Sequence, residues 1–528
     1  MDIAYRAMTA EDHAAVVELW SSDPELGYSE SDAFSHYCAY LDRNPGCSFV
    51  AIAGERIVGT VLAGDDARRG FINHLYVVPE YRGQGIGNHL ADLAEEALAQ
   101  NSPTKSYVFI KYGNEQSIRF WRKRGYYLCD DFCVMRRSLS SEKYQVYSEL
   151  KQEDVVPYLV DKGLISDGLH ATSVEFGDGN LNHIYRVSWD GGSLILKQSM
   201  PHGKIDVSCF EPVSRGVYES RYVKFYERFI PNEIEHCLHS DETMALSVYD
   251  DYSDMTTLRK ALMRQEPVGD VGTFLGQYLA HELCCSSAIA LGIDRKKALE
   301  SSFSNVRSRE LTEAYILQDP FMDSPDNSLD EESREIVRKI WMNNEVVSRA
   351  RLLTQEFVSN KQCLIHGDYH PGNIFIDADP DHPRCIVSDF DFASWGPLSY
   401  DLGTIVGNLV LSYRTQAYFG EKAELEEARI IKVLRDLFAG FQTELLKKMA
   451  DFAPSAVQSY ADDIVEQSFG FAACTLAGRS YGYCTFPEIA YVRSKQAYLQ
   501  ALPQLVCDIE QLMLDVRSER DLLMMLSR

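Results

Sequence analysis

His366, Asp368, His370 and Asn373 lie within one short segment, IHGDYHPGNIF, between two apolar runs. An aspartate at a strand–loop junction can orient a hydroxyl nucleophile toward a γ-phosphate, and an asparagine shortly after it can hold a magnesium ion. The alternative is a hydrogen-bonded polar turn without catalytic chemistry. The segment IVSDFDF (386–392) argues against that alternative, because it places two more carboxylates on a following apolar strand.

Asp389 and Asp391 are those two carboxylates. Magnesium prefers carboxylate and amide oxygens, and phosphoryl transfer requires mainly positioning and charge neutralisation. The residue types and spacing from Asp368 to Asp391 therefore predict a metal-assisted phosphoryl-transfer site.

A second stretch, RGQGIG (82–87), lies between a predicted strand and a predicted helix. Glycines in such a turn let backbone N–H groups approach a pyrophosphate, and the helix N-terminus contributes its positive dipole end. The same turn is also compatible with a tight strand-to-helix connection. The turn alone leaves these two interpretations open.

The length of 528 residues exceeds what one hydrophobic core usually organises, so we expect two or three domains. Residues 1–140 alternate helix and strand patterns, including a hairpin at SFVAIAGERIVGTVLAG and a closing strand pair at YYLCDDFCVMRRSL (126–139). A second module spans 145–528, with a small sheet-bearing lobe over about 145–252 and a helical lobe over about 253–528.

The net charge of −26 argues against nucleic-acid and anionic-membrane partners, because phosphate groups would be repelled. It weakly favours cationic small substrates. The 13 cysteines include no CxxC pair, and neither a leader peptide nor a long apolar run is visible. We therefore expect reduced thiols and a cytoplasmic location.

The N-terminal segments LYVVP, EYRGQGIG and the later N..S..FW.K.GY pattern resemble the GNAT acetyltransferase family. The resemblance covers about residues 1–140 and implies a mixed central sheet with helices and acetyl-CoA as cofactor. It also implies a set of cofactor contacts: Val77, Arg82, Gly83, Gly85, Ile86, Gly87, Asn114 and Ser117.

The chemistry of acetyl transfer needs a base for the amine and an acid for the leaving thiolate. His74, on the strand that enters the glycine turn, is a candidate base. A strand histidine that is held by a hydrogen bond and has no catalytic role is an equally good interpretation. Many family members carry a tyrosine where this chain has Trp121. Tyr126 or Tyr127 are the substitutes available as the acid, and a packing role is the alternative for both.

The second module resembles the aminoglycoside phosphotransferase and choline kinase superfamily, a branch of the bilobal protein-kinase-like fold. DGNLN (178–182), LILKQSMP (194–201), SVYDDYSD (247–254) and DFDFASWGPLSYDLGTIVGNL (389–409) narrow the resemblance to methylthioribose kinases. The resemblance implies ATP and Mg²⁺ as cofactors and allows a homodimer.

Roles follow from this resemblance. Asp368 is the catalytic base, Lys197 contacts the ATP phosphates, and Glu219 is the ion-pair partner of that lysine. Gly179 and Asn180 cover the phosphates, and Asp250 lies in the adenine hinge. The metal ligands are Asn373, Asp389 and Asp391, the substrate contact is Arg479, and His366 and Asp401 brace the loop.

This chain departs from the methylthioribose kinase pattern in two places that concern the choice of phosphate acceptor. This chain has HGDYHPGNI where methylthioribose kinases usually have HGDLHTGSI, and Gly478 replaces the first residue of an arginine pair. The kinase site therefore looks complete, but its acceptor need not be methylthioribose.

The leading hypothesis is a bifunctional enzyme that acetylates an amine and phosphorylates a sugar hydroxyl, on a 5-methylthioribose-like pentose or an amino sugar. One alternative is an aminoglycoside-modifying enzyme. Another is a sugar kinase whose N-terminal domain senses acetyl-CoA without catalysis.

Overall fold

The computed structural model describes residues 3–21, 26, 30–101, 105–110, 114–129, 144, 146–176, 181–203, 211–301, 303–379, 381–483, 485–494 and 496–527. The chain forms two compact units, Met1–Arg137 and Ser138–Arg528. Gly179 and Asn180, and most of the strand pair predicted at 126–139, lie outside the described residues.

The first unit is a five-stranded sheet with helices. Its elements are β1 (Ile3–Ala7), α1 (His13–Ser21), α2 (Phe34–Arg43), β2 (Phe49–Ala53), β3 (Arg56–Asp65), β4 (Gly70–Val77), α3 (Ile86–Gln100), β5 (Ser106–Val108) and α4 (Glu115–Lys123). The strand order is β1-β2-β3-β4-β5, antiparallel except for the parallel β4–β5 pair. The hairpin predicted at β2–β3 is present. Residues 126–129 form no strand, because the Tyr126 N–H bonds to Trp121 O in the turn that ends α4.

Strand β4 is irregular in its second half. Its pairing with β5 ends at Ile72, and its pairing with β3 shifts register so that two β4 residues, His74 and Leu75, oppose one β3 residue. An extra residue of this kind bends a strand and re-aims side chains. His74 accordingly has a left-handed backbone, with φ 46°.

The second unit begins with a sheet-bearing lobe. Its elements are α5 (Gln152–Asp161), β6 (Thr172–Glu175), β7 (Asn182–Trp189), β8 (Gly192–Ser199), α6 (Ser214–Tyr226), β9 (Cys237–Asp241) and β10 (Leu246–Asp250). The strands form an antiparallel sheet in the order β6-β7-β8-β10-β9.

A larger helical lobe follows. Its elements are β11 (Thr256–Thr257), α7 (Leu258–Met263), α8 (Val271–Ser286), α9 (Ala288–Leu291), α10 (Ile293–Ser301), α11 (Val306–Thr312), α12 (Glu331–Met342), α13 (Asn344–Ser359), β12 (Cys363–Ile365), β13 (Ile374–Ile376), β14 (Cys385–Val387), β15 (Ser394–Gly396), α14 (Leu398–Phe419), α15 (Ala423–Lys448), α16 (Pro454–Ser480), α17 (Pro487–Ser494), α18 (Tyr498–Leu514) and α19 (Glu519–Leu526). A π-helical segment spans Glu313–Gln318. A mixed sheet with helices followed by a two-lobed kinase-like unit confirms the predicted fold class. None of the described helices is both long enough and apolar enough to cross a membrane.

Helices α8 and α15 approach each other closely where both carry glycine. A Cβ added to Gly276 would lie 2.1 Å from Leu437 O, and one added to Gly440 would lie 2.6 Å from Thr273 O. Backbone atoms cannot move aside as a side-chain end can, so glycine is required for this contact. The contact matters for the site because α8 also carries Glu282, which lies beneath the predicted catalytic loop.

We expect Gly276→Ala to lower the free energy of unfolding by about 2 kcal/mol, because overpacking outweighs the roughly 1 kcal/mol that alanine gains in a helix. Urea unfolding followed by circular dichroism measures the change. Gln277→Ala, at the next position of α8, is the matched control and should stay close to wild type. Unchanged stability of Gly276→Ala would contradict the tight contact.

Candidate functional sites

The loop after β12 places Asp368 in the second unit. Gly367 has φ 81°, and a Cβ there would lie 2.1 Å from Phe392 O, so only glycine fits. His366 is fully buried; its Nε2 is 3.1 Å from Ser388 O, and its Nδ1 accepts from the Asp368 N–H at 3.2 Å. Burial lowers the pKa of His366 to about 4, so the ring stays neutral. His366 is therefore a brace for the loop, as the sequence predicts.

Both carboxylate oxygens of Asp368 are engaged. Arg479 Nη2 lies 2.6 Å from Oδ1, and His370 Nε2 lies 3.4 Å from Oδ2. His370 Nδ1 accepts from the Gly372 N–H at 3.0 Å, which leaves the proton on Nε2, facing Asp368. Burial acts to raise the pKa of Asp368, but His370 and Arg479 outweigh it and hold that pKa well below the ordinary range. Asp368 is thus an ionised carboxylate that can accept a hydrogen bond.

Two buried carboxyl groups support this loop from below. Asp401 accepts the backbone N–H groups of His366 at 2.7 Å and Gly367 at 3.0 Å. Glu282 accepts the same His366 N–H at 2.9 Å and the Tyr222 hydroxyl at 2.6 Å. Burial raises the pKa of Asp401 to about 7, and burial together with Asp401 raises the pKa of Glu282. The two groups therefore hold a proton at neutral pH.

A lysine surrounded by acids forms the second part of the site. Lys197 Nζ lies 2.7 Å from Glu219 Oε1, 2.6 Å from Asp389 Oδ1 and 3.5 Å from Asp391 Oδ1. Burial lowers the pKa of Lys197, but the three carboxylates raise it more, so the amine is charged. Glu235 accepts the Asp389 N–H at 3.3 Å, and burial raises its pKa to about 8.

The residues near Lys197 fit a divalent cation. Glu219, Asp389 and Asp391 offer oxygens that all lie within 4.8 Å of one another. Asp391 Oδ1 is buried and makes no hydrogen bond to any residue that the structure describes, while Asp389 is half-exposed with φ 66°. Hard oxygen donors of this kind suit Mg²⁺. Asn373 lies beside them, since its Nδ2 donates to Asp368 O and its carbonyl accepts the Ser388 N–H.

The glycine turn of the first unit has the geometry of an anion site. Gly83 and Gly85 have φ of 79° and 84°, and Gly85 is the N-cap of α3. The first amides of a helix lack intrahelical acceptors, so those of Ile86 and Gly87 are available to a pyrophosphate. Arg82 Nε donates to Val77 O at 2.8 Å, which folds the turn back onto β4.

Asn114 and Ser117 cap helix α4. The Asn114 side chain accepts the Ser117 N–H at 2.9 Å. This capping explains the two residue types by local helix stability. Their predicted contact with the cofactor stays a prediction.

His74 is paired with an aspartate distant in sequence. Its Nε2 lies 2.9 Å from Asp32 Oδ1, and its ring stacks on Trp20 with centroids 4.2 Å apart. Trp20 Nε1 donates to Thr60 Oγ1, which donates to His74 O. His74 Nδ1 is buried with no hydrogen-bond partner among the described residues. An Nε2–H donated to Asp32 leaves Nδ1 as a proton acceptor.

Tyr126 follows α4, contacts Ser106 of β5 and has different partners from His74. Its hydroxyl is 2.6 Å from Ser106 Oγ, its ring packs edge-on against Trp121, and burial raises its pKa. Tyr127 is mostly exposed. The two predicted catalytic groups of this unit, His74 and Tyr126, are thus held by separate networks.

Comparison with family models divides the chain as the geometry does. Residues 13–126 match the Acetyltransferase (GNAT) family, and residues 240–431 match the Phosphotransferase enzyme family. The chain joins a GNAT domain to a phosphotransferase domain. Both resemblances drawn from the sequence are confirmed.

Curated relatives match the phosphotransferase domain. Methylthioribose kinase of Bacillus cereus (strain G9842) is 27% identical over 366 residues, covering 68% of this chain and 91% of the relative. Methylthioribose kinase of Geobacillus kaustophilus (strain HTA426) is 27% identical over 373 residues, covering 69% and 92%. GNAT domains use acetyl-CoA, and the kinase relatives use ATP with Mg²⁺.

Solved structures align with each domain. A spectinomycin phosphotransferase in complex with ADP and spectinomycin is 13% identical, covers 69% of this chain and 100% of its own, and has a TM-score of 0.36. A putative acetyltransferase from Agrobacterium tumefaciens str. C58 is 25% identical, covers 25% and 99%, and has a TM-score of 0.21.

The phosphotransferase domain brings its predicted site residues together, and it adds residues that the sequence did not predict. Asp368 meets Arg479, and Lys197 meets Glu219, Asp389 and Asp391. Asp250 ends β10, half-exposed, where the sheet lobe passes into the helical lobe. The sequence interpretation missed four buried or nearly buried residues: Asp32, Glu235, Arg259 and Glu282.

We expect Glu282→Gln to flatten the dependence of stability on pH. In the wild type the folded state binds more protons than the unfolded state between about pH 4 and 7, since the pKa of Asp401 rises from 3.8 to about 7 and that of Glu282 rises too. Stability therefore falls as pH rises, by about 1.4 kcal/mol per pH unit for each extra proton held.

Glutamine mimics the protonated form and removes one of these protons. Urea unfolding at a series of pH values measures the slope, with the exposed Glu345→Gln as control. An equally steep slope in Glu282→Gln would contradict the raised pKa of Glu282.

Proposed function

We propose that this protein is a bifunctional transferase. Its phosphotransferase domain transfers a phosphoryl group from Mg-ATP to a hydroxyl of a 5-methylthioribose-like pentose or amino sugar. Its GNAT domain acetylates an amine from acetyl-CoA. The substrates are small molecules, and neither nucleic acid nor membrane is a partner. One observation carries the kinase proposal: Asn373 ties the backbone of Asp368 to Ser388, directly before Asp389, so that base and metal ligands share one rigid frame.

Asp368 performs the proton transfer in this proposal. The acceptor hydroxyl hydrogen-bonds to its carboxylate, and the proton passes to Asp368 as the acceptor oxygen bonds to the γ-phosphorus. The bond from that phosphorus to the β–γ bridging oxygen breaks, and ADP leaves. Lys197 holds the ATP phosphates once they displace its carboxylate partners. Mg²⁺, when bound by Asn373, Asp389 and Asp391, supplies charge neutralisation at the phosphates.

His74 and Asp32 support catalysis in the GNAT domain. Asp32 holds the Nε2–H tautomer, so Nδ1 takes the proton of the attacking amine. The amine then forms a C–N bond with the acetyl carbonyl carbon, and the C–S bond breaks. The sensor alternative rests on Trp121, which lies where many family members carry a tyrosine. The aminoglycoside alternative rests on the acidic net charge of −26.

We expect ADP release from Mg-ATP with 5-methylthioribose, and a loss of about 10²-fold or more in kcat in Asp368→Asn, because the general base is removed. The assay compares 5-methylthioribose, 5-deoxyribose, ribose and an aminoglycoside panel. Asp379→Asn, an exposed loop aspartate, is the matched control. Turnover of aminoglycosides alone would support the alternative function. Equal turnover by wild type and Asp368→Asn would refute Asp368 as the base.

For the GNAT domain, we expect His74→Gln and Asp32→Asn to lower kcat for amine acetylation, the first by about 10²-fold or more. Thiol release from acetyl-CoA across an amine panel measures this, and the exposed His36→Gln is the control. Thermal stabilisation by acetyl-CoA without turnover of any amine would favour the sensor instead.

A further inference from the structure

Helix α1 contacts both members of the His74–Asp32 pair. At its first residue, His13 Nε2 lies 2.9 Å from Asp32 O. Near its end, the Trp20 ring stacks on the His74 ring, with centroids 4.2 Å apart and an angle of 15° between the planes. Asp32 ends a short 3₁₀ turn, and His74 belongs to β4, 42 positions later in the sequence. One helix therefore touches two residues that the chain brings from separate elements.

The spacing of His13 and Trp20 places both on the same face of α1. Seven residues are about two turns of an α-helix, so the two side chains leave the helix within about 20° of each other and about 10 Å apart along its axis. Val16 lies between them on this face, and Val16 and Trp20 are fully buried. The inner face of α1 therefore carries its contacts to Asp32 and His74 at its two ends.

Trp20 is tied to both the ring and the backbone of His74. Its Nε1 donates to Thr60 Oγ1 at 3.0 Å, and Thr60 Oγ1 donates to His74 O at 3.0 Å. His74 has a left-handed backbone with φ 46°, in the irregular part of β4. A backbone of this kind costs energy in a residue other than glycine and persists where its surroundings fix it. The indole therefore restrains the His74 ring directly and the His74 carbonyl through Thr60.

His13 ties the turn that carries Asp32 to the start of α1. Because Asp32 O is a carbonyl oxygen and can only accept, the proton of His13 lies on Nε2. The His13 ring also meets Phe34 and Tyr37 of α2 edge-on, with centroids 5.2 and 5.0 Å away. Asp32 lies just before α2 and is 7% exposed. His13 is therefore one of the contacts that fix where the Asp32 carboxylate meets His74.

We propose that His13 and Trp20 are positioning residues for acetyl transfer. Trp20 fixes the plane of the His74 ring. His13 fixes the backbone of Asp32, whose carboxylate then lies within reach of His74 Nε2–H. The Nε2–H tautomer is thereby kept, and Nδ1 stays the proton acceptor. Both roles rest on the proposed acetyltransferase function, and neither residue contacts the amine or acetyl-CoA in this scheme.

The expected effect lies in kcat and not in the binding of acetyl-CoA. A reacting group that is misplaced by about 1 Å can lower the rate by about 10²-fold. Acetyl-CoA is expected to bind at the glycine turn, residues 82–87, to which neither His13 nor Trp20 belongs. Disruptive variants should therefore lower kcat for amine acetylation while the KM for acetyl-CoA stays close to that of the wild type.

The test compares conservative and disruptive variants of the full-length protein. His13→Gln keeps an N–H donor where Nε2 lies, and His13→Leu removes it. Trp20→Phe keeps an aromatic ring over His74, and Trp20→Leu does not. With the best amine from the acetylation panel, we expect both leucine variants to lose about 10-fold or more in kcat. The conservative variants should keep more of it, and wild-type kcat in both leucine variants would overturn the proposal.

Val16→Ala is the matched control for packing on the same face. It removes buried methyl groups between His13 and Trp20 but no side-chain hydrogen bond, so it should lower stability and leave kcat close to wild type. All variants are assayed at a temperature where circular dichroism shows them folded. A loss of kcat in Val16→Ala as large as in the leucine variants would overturn the proposal, because a general loosening of α1 would then explain it.

A second readout needs no turnover. In NMR spectra of the protein labelled with ¹⁵N-histidine, a protonated ring nitrogen is distinguished from a bare one, and His74→Gln identifies the His74 signals. We expect the wild type to show Nε2–H with a bare Nδ1, and His13→Leu and Trp20→Leu to show an averaged mixture of the two tautomers. An unchanged His74 spectrum in either variant would overturn the positioning role of the residue replaced. If the wild type acetylates no amine while the tautomer responds in this way, the proposed acetyltransferase function fails and the positioning contacts stand.

Discussion

The support that the buried carboxyls of Asp401 and Glu282 give to the catalytic loop is the interaction on which the phosphotransfer site depends. The two carboxyls accept the backbone N–H groups that begin the catalytic loop. A pair of ionised carboxylates at that depth would repel each other and pull away from the loop. Burial raises the pKa of both carboxyls, and a proton held by this pair removes that repulsion while their oxygens accept the N–H groups of the loop. Asp368, His370 and Asn373 are then placed by the chain that follows.

Other buried charged groups of this domain are also held by partners that are distant in sequence. Lys197 balances Glu219, Asp389 and Asp391, and Arg259 balances Glu488. In each case the partners come from different helices, strands or loops. The geometry of the site therefore depends on how the helices pack. The glycine contact between α8 and α15 matters for it because α8 carries Glu282.

Local sequence was sufficient to bring out the candidate site residues that lie close to one another in the chain. Asp368 and Asn373 are separated by one turn of chain, and Asp389 and Asp391 lie in the loop directly after β14 rather than on the strand that the sequence predicted. The GNAT turn could likewise be predicted from the sequence. Gly83 and Gly85 have left-handed backbones, and glycine is the residue type that adopts this conformation most readily. The fold class of both units followed from these motifs and from the alternation of helix and strand patterns.

The partners that tune those residues were not visible. Glu282 sits in an apolar helix and Asp32 in a short 3₁₀ turn, and neither has a neighbour in sequence that marks it. In the sequence, Arg259 cannot be told from any other helix arginine. Its ion pair with Glu488 forms only because α17 packs against α7. Asn114 and Ser117 are a different case, since the structure explains both residue types as a helix cap and leaves their cofactor contact a prediction. A pattern indicates residue type and spacing, whereas burial and long-range pairing arise only on folding.

Gly367 has a consequence for motion. Because Phe392 O occupies the space of its missing Cβ, the backbone that carries Asp368 and the backbone that carries Asp389 and Asp391 are in direct contact. Neither can slide past the other without breaking that contact, so the base and the metal ligands travel as one body. A closure around bound nucleotide that keeps this contact would change the distance from Lys197 to the base and to the metal ligands together, and not the distance between the base and those ligands.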